Sequence, residues 1–153
     1  MPIITNDSAG RPDLTVASLT ATGQGVTVVI QNSGDGPVTD SFWVDVYLNP
    51  DPPPSHVNQV WWQLCSQGLV WGVTAPMLPQ GVITLTFDDA FYRPDQSGFS
   101  GSISPGTLVY AQVDSVNLLT TYGGVLESNE QNNIAGPVVA TAAVSRCDPG
   151  LCD

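Results

Sequence analysis

Apolar and polar residues alternate with a period of two in a series of short runs along this chain, and each run ends in a glycine, proline or asparagine break. From Asp13, LTVASLTAT alternates and stops at Gly23-Gln24-Gly25; VTVVIQN (26–32) follows and stops at Ser33-Gly34-Asp35-Gly36-Pro37. SFWVDVYLN (41–49) has the cleanest pattern, with Phe42, Val44, Val46 and Leu48 on one face and Trp43, Asp45 and Tyr47 on the other. The prolines of Asn49-Pro50-Asp51-Pro52-Pro53-Pro54 end it, because proline cannot donate to a sheet ladder. VITLTFDD (82–89) returns to period two, placing Ile83, Leu85 and Phe87 on one face, and TLVYAQVD (107–114) and PVVATAAV (137–144) complete the set. Residues 55–80 are aromatic-rich and less regular, with room for short edge strands, and residues 93–106 form a Ser/Gly/Pro loop. No window has helical periodicity and no segment repeats. Six or seven short strands between turn signals predict an all-β, immunoglobulin-like antiparallel sandwich of about seven strands.

Composition narrows the function. Charged residues are 11% of the 153, well under the roughly 25% usual for soluble domains, so the surface is covered mainly by neutral polar side chains. The net charge is −11, there is no lysine, and the cations are Arg11, Arg93 and Arg146. Nucleic acid needs a cationic patch to displace phosphate counterions, so it is excluded as a partner, and anionic membrane surfaces are disfavoured for the same reason. No run approaches the ~18 apolar residues of a membrane span, so membrane insertion is not expected. The first residues, MPIITNDSAGRPD, lack the basic and apolar regions of a signal peptide, pointing to a removed export signal or an excised module with an added Met1. Cys147 and Cys152 flank an Asp-Pro-Gly turn and suit a disulfide, which fits an oxidising compartment; Cys65 is left over or pairs with one of them.

Three segments, PDLTVASLT (12–20), VTVVIQNSGDGPV with FWVDVYLN (26–49), and VYAQVDSVNLL…GVLESNEQNN (109–133), together resemble the cell-adhesion-related domain found in bacteria (CARDB). The resemblance covers residues 12–144, leaving a leader at 1–11 and a Cys-containing tail at 145–153. It implies a non-catalytic extracellular or cell-surface module for adhesion, spacing or assembly, including as a subunit of a surface filament. Its partners would be another protein or neighbouring copies of itself. The chain departs from the family's pattern in an aromatic-rich insertion at about 50–79.

The richest candidate site is Glu127-Ser-Asn-Glu130-Gln-Asn132-Asn133, which holds both glutamates of the chain. With Asp114 at the preceding strand end, Glu127, Asn129, Glu130 and Asn132 offer the oxygen ligands that calcium takes. The plainer reading is that these side chains accept hydrogen bonds from loop backbone and pin a turn, with no cofactor. A second candidate is a binding surface of Trp61, Trp62, Trp71 and Tyr92, which would dock a protein or stack on sugar rings; the alternative is that the rings cap the core. His56, the only histidine, sits in a proline-stiffened loop and is expected to face solvent. No nucleophile elbow or oxyanion hole is present, and Glu127 and Glu130 are too near in sequence to straddle a glycosidic bond, so no enzyme activity is expected.

Overall fold

Residues 10–142 are described by the computed structural model. They form two packed antiparallel sheets. One is made of β1 (Leu14–Thr22), β2 (Gly25–Asn32) and β5 (Val82–Leu85), in the order β1-β2-β5. The other is made of β3 (Phe42–Leu48), β4 (Gln67–Val73), β6 (Leu108–Val113) and β7 (Ile134–Val139), in the order β4-β3-β6-β7. A single helical turn, α1 (Trp61–Leu64), precedes β4. This is the all-β sandwich that the alternating runs predict.

The core lies between the sheets. Leu14, Val26, Val28, Ile30 and Leu85 come from one sheet; Val44, Val46, Leu69, Trp71, Val109, Ala111 and Val113 come from the other. Register keeps these residues inward: Val44 stands opposite both Trp71 and Val113, and Val28 opposite Leu85. Burying this set supplies the main driving force of folding.

The boundaries differ from the sequence pattern in three places. The irregular region contains β4, whose apolar run is buried on both faces, so it shows no alternation. The run at 82–89 ends as a strand at Leu85: Asp89 accepts from the Thr86 amide and Asp88 from the Thr86 hydroxyl, turning the chain and leaving Phe87 exposed. The last strand begins at Ile134, three residues ahead of Pro137, and reaches Val139 at a sheet edge, where a proline is tolerated.

β3 is buried on its second face as well. Residues 55–65 lie over Asp45 and Tyr47: the Trp61 amide donates to Asp45 Oδ2 at 2.9 Å and the Ser115 hydroxyl to Asp45 Oδ1 at 2.6 Å. The Trp61 indole rests where a Cβ on Gly68 or Gly98 would come within 2.4 Å of it, so both glycines are needed for this contact. The aromatic-rich segment is therefore a cover for the four-stranded sheet.

Candidate metal centre at the end of the sandwich

β6 ends at Val113, and the chain takes twenty residues to reach β7. Asp114 begins the crossing with a φ of +55°, a left-handed conformation that Asp tolerates better than most residues. Its carboxylate accepts from the Gly124 amide at 2.7 Å and from the Val125 amide at 3.0 Å, drawing the far side of the loop back onto the strand end. A Cβ on Gly123 would lie 2.7 Å from this carboxylate, which explains the Gly-Gly pair at that point.

The loop then crosses to the other sheet. The Ser128 amide donates to the Pro12 carbonyl, and Glu127 Oε1 accepts from the Leu14 amide at 2.7 Å, closing the first donor of β1. Glu127 Oε2 accepts from Asn133 Nδ2 at 2.7 Å, and Glu130 Oε2 accepts from the Glu127 amide at 2.8 Å. The Asn129 side chain accepts from the Gln131 amide on the exposed outside of the turn, away from the carboxylates. The hydrogen-bonded turn expected for this run is present.

The same hydrogen bonds gather three carboxylates. Asp114, Glu127 and Glu130 each bring an oxygen within 4.8 Å of the others, and the first two are buried. That span matches an ion with metal–oxygen bonds of ~2.4 Å. Burial pushes Asp114 up to about 6 and Glu127 up to about 10, and burial also raises Glu130. No cationic side chain offsets them directly. Among the described residues the one ion pair is Arg93–Asp95 at 3.1 Å, elsewhere on the surface, while Arg11 lowers Glu130 through space without pairing.

Around the cluster, acceptors outnumber donors. Asn132 Nδ2 donates to Asp13 Oδ2 at 3.1 Å, but Asp13 Oδ1, Asn132 Oδ1 and Asn133 Oδ1 are buried and have no hydrogen-bond partner. Unpartnered buried acceptors are rare in folded proteins, and each commonly marks a water or an ion. Of the candidate ligands, Asp114, Glu127 and Glu130 are brought together, Asn132 sits one step behind through Asp13, and Asn129 is on the outside. Asn133 and Asp13 join the site although the sequence gave no reason to place them there. Asp13 reaches it through a contact with Asn132 across 119 positions, which no local spacing reveals.

The aromatic surface is corrected. Trp71 is 0% exposed and belongs to the core, and half-buried Tyr92 packs against it with ring centroids 5.5 Å apart. Trp61 is half-buried and donates its indole N–H to the Gln96 carbonyl. Trp62 alone of the four is exposed, at 65%. It lines a shallow depression with Trp61 and Trp43, and Trp43 carries the Arg93 guanidinium 5.6 Å from its ring. Cys65 is a free, half-buried thiol whose Sγ donates to the Trp61 carbonyl; Cys147, Cys152 and the leader lie outside the described residues.

The fold and the site define an immunoglobulin-like β-sandwich with an acidic cluster at the end where β6 meets the start of β1. A solved structure of this kind is the CARDB domain of a Pyrococcus furiosus protein, in complex with di-metal ions. It is 22% identical, covers 91% of this chain and 95% of its own, and superposes with a TM-score of 0.50, a likeness that speaks for the fold. No family model and no curated protein matches the sequence. No helix among the described residues is long and apolar enough to cross a membrane.

Proposed function

We propose that the chain is a non-catalytic immunoglobulin-like module acting outside the cell in adhesion, spacing or assembly, and that a divalent cation held by Asp114, Glu127 and Glu130 locks one end of its sandwich. The observation that carries the cation reading is the convergence of three carboxylates beside buried acceptors that have no donor. The all-oxygen ligand set suits calcium. The di-metal ions of the Pyrococcus domain support the same reading for this fold. The sequence favoured a turn without an ion; the two readings are compatible, because the hydrogen bonds of the turn place the ligands. An ion here ties the end of β6 to the β6–β7 loop and, through Glu127, to the first residue of β1.

Melting in chelator and then in millimolar calcium tests this. At a hundredfold excess over Kd, binding to the folded state adds about 2.7 kcal/mol. For a domain of this size the expected rise in Tm is roughly 5–10 °C, and Glu127→Gln should lose it. An unchanged Tm for the unsubstituted protein with every divalent ion tried removes the cation reading and leaves the turn alone.

A second reading, carbohydrate binding, is favoured by one feature: the exposed Trp62 in its depression of about 220 Å³ beside Trp43 and Trp61. Aromatic faces of this kind stack on sugar rings. On a glycan array this reading expects binding that Trp62→Ala abolishes, with no cleavage of the bound glycan. A silent array leaves Trp62 as a contact for a protein partner or another copy of the chain.

A further inference from the structure

Resting on the cation reading above, we propose that a second cation position lies outside the first, in the cavity between the acidic cluster and His56. It would take an ion that accepts an imidazole nitrogen, of the zinc class, on His56 Nε2, Asp114, Glu130 and Asn133.

The cavity, about 140 Å³, is lined by His56, Gln112, Asp114, Tyr122, Glu130 and Asn133, among others. Asp114 and Glu130 belong both to this cavity and to the tight cluster, whereas Glu127 belongs to the cluster alone. A carboxylate has two oxygens, so Asp114 and Glu130 can each face an inner ion with one and an outer ion with the other. Paired ions bridged in this way stand about 3.5–4 Å apart. His56 is not among the groups within 4.8 Å of one another, so it serves the outer position and not the inner one.

Two independent observations point to a ligand. Asn133 is 6% exposed and lines the cavity; its amide nitrogen donates to Glu127 and to the Val113 carbonyl, while its Oδ1 has no partner. His56 Nδ1 lies 2.7 Å from the Val57 carbonyl. A carbonyl only accepts, so Nδ1 carries the proton, and in the neutral ring Nε2 keeps its lone pair. A ring whose one nitrogen is fixed by a carbonyl has the arrangement usual for metal-ligating histidines.

The loop carrying His56 is held against the site. Gln59 Oε1 accepts from the amides of Ser55 and His56 at 2.7 and 3.0 Å. The Asn58 amide donates to the Ser115 carbonyl, the residue after Asp114, and Asn58 Oδ1 accepts from the Asn117 amide. Calcium prefers oxygen, while zinc takes nitrogen and carboxylate oxygen together at about 2.0–2.2 Å. The outer position therefore distinguishes ions that the inner one does not.

The test is metal stoichiometry on the folded full chain, with free thiols blocked by N-ethylmaleimide, together with the ¹⁵N resonances of the lone histidine. Zinc should load to two ions per chain and shift His56 Nε2, whereas calcium should load to one and leave the ring unmoved. His56→Gln should bind one zinc and one calcium, with its metal-free Tm unchanged because the residue is exposed. If zinc loads identically in both proteins and the histidine resonances stay put, the outer position is overturned while the inner site stands. If neither ion is taken up, both readings fall.

Discussion

Trp71→Ala should lower stability by about 4 kcal/mol, among the largest effects expected of a single substitution in this chain. The ring is fully buried at the centre of the sandwich, opposite Val44, and is in contact with Tyr92. Its indole N–H donates to the Thr86 carbonyl at 2.8 Å, at the point where β5 gives way to the turn. Truncation thus opens a cavity, removes an aromatic pair and leaves that carbonyl without its donor. In a domain of about 150 residues each kcal/mol moves Tm by roughly 2–4 °C, so a fall of about 10 °C is expected. Trp62→Ala, one turn of chain away on the exposed face of α1, should stay within about 0.5 kcal/mol of the unsubstituted protein. Denaturant unfolding of the pair checks this; equal losses would mean that Trp71 is not a core residue.

The second large effect is a dependence of stability on pH that originates at Asp45. Burial pushes this carboxyl up to about 6, opposed by the hydrogen bonds from Ser115 and from the Trp61 amide. The folded state therefore holds the proton more tightly than the unfolded chain does. The contribution favouring the fold is fully present below pH ~3.8, the ordinary Asp value, and is lost as pH rises through about 6. Two units of pKa correspond to about 3 kcal/mol. Asp45→Asn keeps the shape and can still accept from the Trp61 amide while Ser115 turns to accept in its place. Its stability relative to the unsubstituted protein should rise by about that amount between pH 4 and pH 7. Chemical denaturation of both proteins at the two pH values measures the difference, and parallel profiles would show that the carboxyl titrates normally.

The strands whose two faces differ were legible in the sequence. Strand β2 alternates because one side is core and the other is not, and its pattern from Val26 to Asn32 reads directly as a strand. β4 was hidden by the opposite circumstance: Leu69, Val70 and Trp71 are all buried, so the residues show apolar content without period. The same logic misplaced Trp71 and Tyr92, since no sequence pattern distinguishes an aromatic that packs inward from one on show. The acidic run was visible because it holds both glutamates, and Asp114 was visible as a strand end. Asp13 and His56 were not visible as partners. They reach the site from other parts of the chain, one through the start of β1 and the other through a loop pinned to Ser115.

The path of the described chain has a consequence for how such a module could be strung. Pro12 and Leu14 sit at the acidic end, tied to Ser128 and Glu127, while the Thr141 amide donates to the Ala21 carbonyl at the far end of the same strand. Domain termini often lie close together; here the points where chain joins the sandwich are separated by the length of β1. Nine residues of strand span about 30 Å. Copies linked through these points would run in line, each adding its own length to the string, and tension along the string would pass lengthwise through β1.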